Sequence, residues 1–156
     1  MDWLATLENS GFSTWLRESN TIWAYPLVLT LHTIGLALLV GANWVIDLRI
    51  LGGLGRVAIA DLSWTFRVMW FGFWVNAVSG AMLFAADATT KGSTRLFVGK
   101  LALVGIGVVV IVLTKRALYP LGVAAATPGG AARALALASI ALWVGAIVAG
   151  RFMAYV

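Results

Sequence analysis

The chain contains no cysteine, one histidine and three prolines among 156 residues, and only 11% of its residues are charged. Without cysteine, the chain itself supplies no disulfide, no Cys-ligated zinc, no iron–sulfur cluster and no covalently attached c-type haem. The charge fraction is under half the usual value for a soluble domain, so it cannot cover a soluble surface. A single histidine excludes a bis-histidine haem within one chain. No phosphate loop, nucleotide motif, metal-ligand spacing or Ser–His–Asp arrangement is present. The reading is therefore not that of an enzyme acting on its own. The net charge of +5 resides mainly in short segments beside apolar runs. Topology control and lipid headgroups explain it better than nucleic acid.

What is abundant is apolar: 62% of residues. Four runs are long enough to cross a bilayer, which takes roughly 20 residues each, at about 22–46, 66–87, 96–118 and 133–155. In lipid each must be helical, because an unpaired backbone finds no water there. Short connections punctuated by Gly52, Gly53, Gly55, Pro120, Pro128, Gly129 and Gly130 predict an all-α, up-down, integral membrane four-helix bundle over 22–156. Residues 1–21 lack the basic start and apolar core of a signal peptide. Trp3, Leu4, Leu7, Phe12, Trp15 and Leu16 alternate with polar residues there, as in one or two short interfacial amphipathic helices. Six basic residues (Arg49, Arg56, Arg67, Lys115, Arg116, Arg133) fall on one membrane face and five (Arg17, Lys91, Arg95, Lys100, Arg151) on the other. That balance favours both termini outside, in the periplasm of a bacterial inner membrane.

An ionisable residue at bilayer depth costs about 2.5–3.5 kcal/mol on insertion scales, so each needs an explanation. His32 lies about ten residues in from the N-terminal face. Asn76, counted back along the antiparallel second span, reaches a similar depth, so a His32–Asn76 hydrogen bond is expected. Gly72, Gly80, Gly105, Gly107 and Gly145 occupy the same layer. They either let helix backbones approach or leave room beside His32 for a flat cofactor, haem b or a quinone headgroup. Trp74 and Trp143 would wall such a pocket, and His32 would be the metal ligand. At the N-terminal face Arg17, Asp87, Lys100 and Arg151 converge on one level, as an interfacial ion-pair network or as a pocket for an anion or a partner. On the opposite face Asp47 is expected to pair with Arg67 and clamp the first two spans.

The segments "WLRES", "LHTIGLALLVG", "DLRILG", "GAMLFAADA", "GKLAL" and "GRFMAYV", in that order, resemble an uncharacterised family of small bacterial four-helix inner-membrane proteins, a domain of unknown function (number 6644). The resemblance covers nearly the whole chain. It implies the four-span fold and no established activity. It places His32, Asp47, Arg49, Asp87, Lys100 and Arg151 in the recognisable segments. A more distant likeness, in helix count and a first-span histidine, is to copper-resistance and b-type cytochrome membrane domains. Three functions stand open: a non-enzymatic scaffold or interaction subunit of a larger membrane or periplasmic assembly, with a protein partner or as a homo-oligomer; an electron-transfer or anchor subunit binding haem b or a quinone near His32; and a small transporter or channel.

Overall fold

The computed structural model describes residues 2–153, and among them every regular element is a helix. Two short helices, α1 (Asp2–Glu8) and α2 (Gly11–Glu18), precede the first long one, α3 (Tyr25–Leu51). Then follow α4 (Leu62–Ala85), the six-residue α5 (Ala88–Ser93), α6 (Arg95–Leu118) and α7 (Gly130–Phe152). Four of these helices are long and apolar enough to cross a membrane, so the chain is a multi-pass membrane protein. At about 1.5 Å per residue, α3 stands roughly 40 Å tall against a hydrocarbon core of about 30 Å.

The helix ends have local causes. Pro26 sits in the first turn of α3, where its missing N–H costs nothing. Gly52 closes α3 in the left-handed conformation (φ 99°), and Gly53 N–H donates to the Leu48 carbonyl at 2.9 Å. The first span is thus shifted from 22–46 to 25–51, and Asp47 and Arg49 belong to its last turns rather than to a loop. The second begins one turn early, at Leu62, and ends at Ala85. Asp87 therefore does not close that span but heads α5. Pro120 follows the end of α6 at Leu118, as expected for a residue that cannot continue a helix. The last span starts at Gly130, and residues 154–156 lie outside the described part of the chain.

Helix α3 is the hub. It packs along α4 on one side and α7 on the other, and α6 packs on α7. The α3–α4 contact is backbone on backbone. A Cβ added to Gly35 would lie 2.6 Å from the Asn76 nitrogen, and one on Gly72 would lie 2.6 Å from the Leu39 nitrogen. Small residues do this work in membranes, where apolar side chains gain nothing by leaving lipid. Burial within the best apolar window falls from 39% of positions in α3 to 17% in α6, so α6 is the span most open to lipid.

The N-terminal segment folds as a cap over one end of the bundle. Ser10 caps α2, accepting from Ser13 N–H at 3.3 Å. Leu16 is fully buried with Ala24, Val28, Leu83 and Ala86. Leu4 reaches Gly92 of α5. Glu8 accepts both the Thr89 N–H (2.7 Å) and the Thr89 hydroxyl (2.5 Å), and these bonds hold its carboxyl below the usual glutamate range. Arg17 donates to the Ala86 carbonyl at 3.2 Å. Trp3, Phe12, Trp15 and Trp23 stay exposed, as aromatic rings do at the headgroup level.

The glycines can be told apart by mutation. Gly72→Ala is expected to lower the thermal midpoint in detergent by the equivalent of about 1–3 kcal/mol, since neither backbone can yield without separating the helices. Gly105→Ala, where nothing stands within 4 Å of the added methyl, is expected to leave the midpoint unchanged. Equal midpoints for both variants would overturn the close-packing account.

Candidate functional site

Two buried polar layers cross the bundle, both anchored on α3. The first joins α3 to α4. His32 Nδ1 lies 3.0 Å from the Asn76 carbonyl oxygen and 3.2 Å from Ser79 Oγ. Asn76 Nδ2 donates to the His32 carbonyl at 2.8 Å. Ser79 spends its own proton on the Val75 carbonyl at 2.6 Å. A carbonyl oxygen only accepts, so the shortest of these contacts assigns the imidazole proton to Nδ1, although the Asn76 Nδ2 donor also stands 3.3 Å from that atom. That leaves Nε2 as the acceptor edge of a neutral ring. The expected His32–Asn76 bond is therefore present, doubled by a backbone bond and joined by Ser79.

The glycine layer divides in two. Gly72 is filled by the α3 backbone, Gly80 by the His32 ring (3.0 Å to Cε1), and Gly107 by the Trp143 ring (3.2 Å to Cζ2). Only Gly105 faces open space, and Gly145 makes ordinary contact with Leu103 at 3.6 Å. A flat macrocycle between α3 and α4 does not fit, because the two backbones already touch there. Trp74 does not wall a pocket: it is 62% exposed and points away from the bundle. Trp143 is buried in the core, as ordinary packing requires.

The second layer joins α3 to α7. Asn43 Nδ2 donates to Asp47 Oδ2 at 2.7 Å and to Ser139 Oγ at 2.6 Å. Asp47 is 1% exposed, and Asn43 and Ser139 are buried with it. The expected Asp47–Arg67 clamp is corrected here. Arg67 is exposed, and the described ion pairs do not include Asp47. The physical reason is helix phase: Asp47 lies inside α3, on the flank that faces α7 rather than α4. In the same core, Thr114 Oγ1 on α6 and Trp143 Nε1 on α7 are buried without a hydrogen-bond partner.

The charges at the N-terminal face pair differently from expectation. Asp87 binds Lys91 one turn on, at 3.4 Å, and neither Lys100 nor Arg151. Arg17 pairs with Glu18 at 3.3 Å and more loosely with Glu8 at 3.8 Å. Lys100 is half-buried, its stem lying along Gly150 of α7, and is within electrostatic reach of His32. Arg151 is exposed beside it. Neither has an ion-pair partner among the described residues. Asn43, Ser79, Thr114, Ser139 and Thr89 were not singled out from the sequence, and Glu8 was given no partner there. For Asn43 the signal was available: Asn and Asp four apart on an uncharged helix share a face. Among the described residues no group of three metal-ligating side chains gathers.

No family model, curated protein or solved structure matches this chain.

Asp47→Asn is expected to keep or raise the thermal midpoint, since the amide keeps an acceptor and sheds the cost of a buried charge. Asn43→Leu is expected to lower it by about 1–3 kcal/mol, because it leaves Asp47 and Ser139 short of a donor. Arg67→Gln should leave the midpoint in lipid-free detergent unchanged. A fall for Asp47→Asn matched by Arg67→Gln would restore the ion pair.

Proposed function

We propose that this protein is a non-enzymatic subunit of a bacterial inner-membrane assembly that holds a partner along α6 and at the Lys100–Arg151 end of the bundle. One observation carries the reading: Lys100 is half-buried and has no ion-pair partner among the described residues, on the span that its own bundle covers least. A desolvated ammonium is costly unless compensated. An acidic segment of another membrane protein, lying against the exposed flank of Val98, Leu101 and Ile106, would supply the missing charge. The remaining titratable groups in the core are already engaged in holding helices together, which disfavours a transporter or channel. Both termini then lie on the periplasmic side, and the membership of the uncharacterised four-span family suggested by the sequence motifs is proposed on the same footing.

The test is a photo-crosslinking residue at Val98 or Ile106 in intact membranes. A discrete protein adduct, lost on Lys100→Glu with Arg151→Glu, is the expected result. An adduct at twice the chain mass would identify the partner as a second copy. Crosslinks to lipid alone, unchanged by charge reversal, would sink the proposal.

A second reading keeps a cofactor at His32, and the Nδ1–carbonyl bond favours it. Metal-binding imidazoles commonly donate their other N–H to a carbonyl in this way, and an acceptor Nε2 also suits a quinol hydroxyl. Haem b would have to approach from outside the α3–α4 contact. Protein purified under this reading shows a Soret band or extractable quinone that His32→Ala abolishes; a colourless, quinone-free preparation excludes it.

A further inference from the structure

Near the capped end α4 and α6 meet where Phe84 and Phe97 stack at 4.7 Å. Towards the opposite face the seam opens into a cleft of about 530 Å³, lined by Ser63, Phe66, Arg67, Trp70, Lys115 and Tyr119. That volume falls within the roughly 300–1,000 Å³ usual for small-ligand sites. Its chemistry is divided. Phe66 and Trp70 form an aromatic wall on α4, with the edge of Tyr119 set against Phe66 at 6.1 Å. Arg67 from α4 and Lys115 from α6 supply two cations from opposite sides, and Lys115 Nζ stands 5.8 Å from the centre of the Phe66 ring. No carboxylate lines the cleft. Neither cation has an ion-pair partner among the described residues. Asp61, the acid at this end, is exposed and does not line the cleft.

Two like charges facing one cleft at the membrane boundary repel each other unless an anion lies between them. The aromatic wall of Phe66 and Trp70 is an apolar surface that a small inorganic anion would leave uncovered. We propose that it binds an anionic phospholipid, with the phosphate between Arg67 and Lys115 and an acyl chain running past Phe66 and Trp70 into the α4–α6 seam. Tyr119 gives the site a fixed floor, because its hydroxyl donates to the Ile59 carbonyl and ties the end of α6 to the turn before α4.

Native mass spectrometry of the whole protein in detergent, titrated with phosphatidylglycerol, phosphatidylcholine or inorganic phosphate, tests this. Phosphatidylglycerol should be retained in preference to phosphatidylcholine. The Arg67→Gln, Lys115→Gln double variant should weaken its binding about thirtyfold, the attraction of two surface cations. Arg116→Gln, an exposed change outside the cleft, should not. A second measurement is independent of the charge variants. Chain-brominated phosphatidylglycerol should quench Trp70, a quench that Trp70→Phe removes and brominated phosphatidylcholine fails to reproduce. Equal binding of both lipids, unchanged binding by the double variant, or competition by inorganic phosphate at equal concentration would overturn the assignment.

Discussion

The contact between the α3 and α4 backbones at Gly35 and Gly72 is the constraint from which the rest of the structure follows. Association of apolar helices within lipid has no hydrophobic driving force, so close van der Waals contact and hydrogen bonds must hold them. Two facing glycines supply the first. The short separation they permit makes the second available: only with the backbones this close does the His32 ring lie over Gly80 and reach the Asn76 carbonyl, and only then does the Asn76 amide reach back to the His32 carbonyl. Once α4 is locked to one side of α3, the opposite side is left for α7. Helix α6 is then held chiefly through α7, with the Phe84–Phe97 stack and the Lys115–Phe66 contact tying it to α4. The open seam and the poor burial of α6 are consequences of that order of contacts.

Both ionisable residues in the interior of the first span are met by neutral partners. Burying a salt bridge costs two desolvations and often returns less than it takes. Here a neutral histidine donates to a carbonyl, and a carboxyl sits among an amide and a hydroxyl. The formal ion pairs are found at the rim, where water and headgroups share the cost: Arg17 with Glu8 and Glu18, and Asp87 with Lys91. The bundle thus sorts its polar chemistry by depth, with hydrogen bonds inside and charge pairs at the boundary.

How much of this was readable in the sequence follows the same physics. Apolar length alone identifies the four spans, because the bilayer demands about 20 residues of each. Counting depth from antiparallel ends pairs His32 with Asn76, since both lie far from the uncertain helix termini. Asp47 was misread for the converse reason. It lies four residues from the end of α3, and extending the helix to Gly52 moves it from a loop into the core and turns it towards Ser139. Trp74 and Trp143 could not be separated, because a helix apolar on every side carries no pattern that says which face meets lipid. The packing of Trp143 against Gly107 is a relation between two helices that neither sequence segment expresses alone. The docking of the N-terminal helices on α5 was equally out of reach, as it depends on Glu8 meeting Thr89 across a long stretch of chain.

The two membrane faces differ in how their charges are compensated. The capped face carries nearly all the acids that find partners: Glu8, Glu18 and Asp87 each engage a neighbour. The opposite face carries Arg56, Arg67, Lys115, Arg116 and Arg133 exposed, with Asp61 as the exposed acid beside them. Unpaired cations at a bilayer boundary draw anionic headgroups whatever the fold, so the charge asymmetry alone would give a diffuse lipid annulus. A specific site needs geometry as well, and the bundle supplies it where α4 and α6 part. The half-buried Lys100 and the Arg67–Lys115 cleft both border α6, the helix left with least to hold it once α3 has taken α4 and α7.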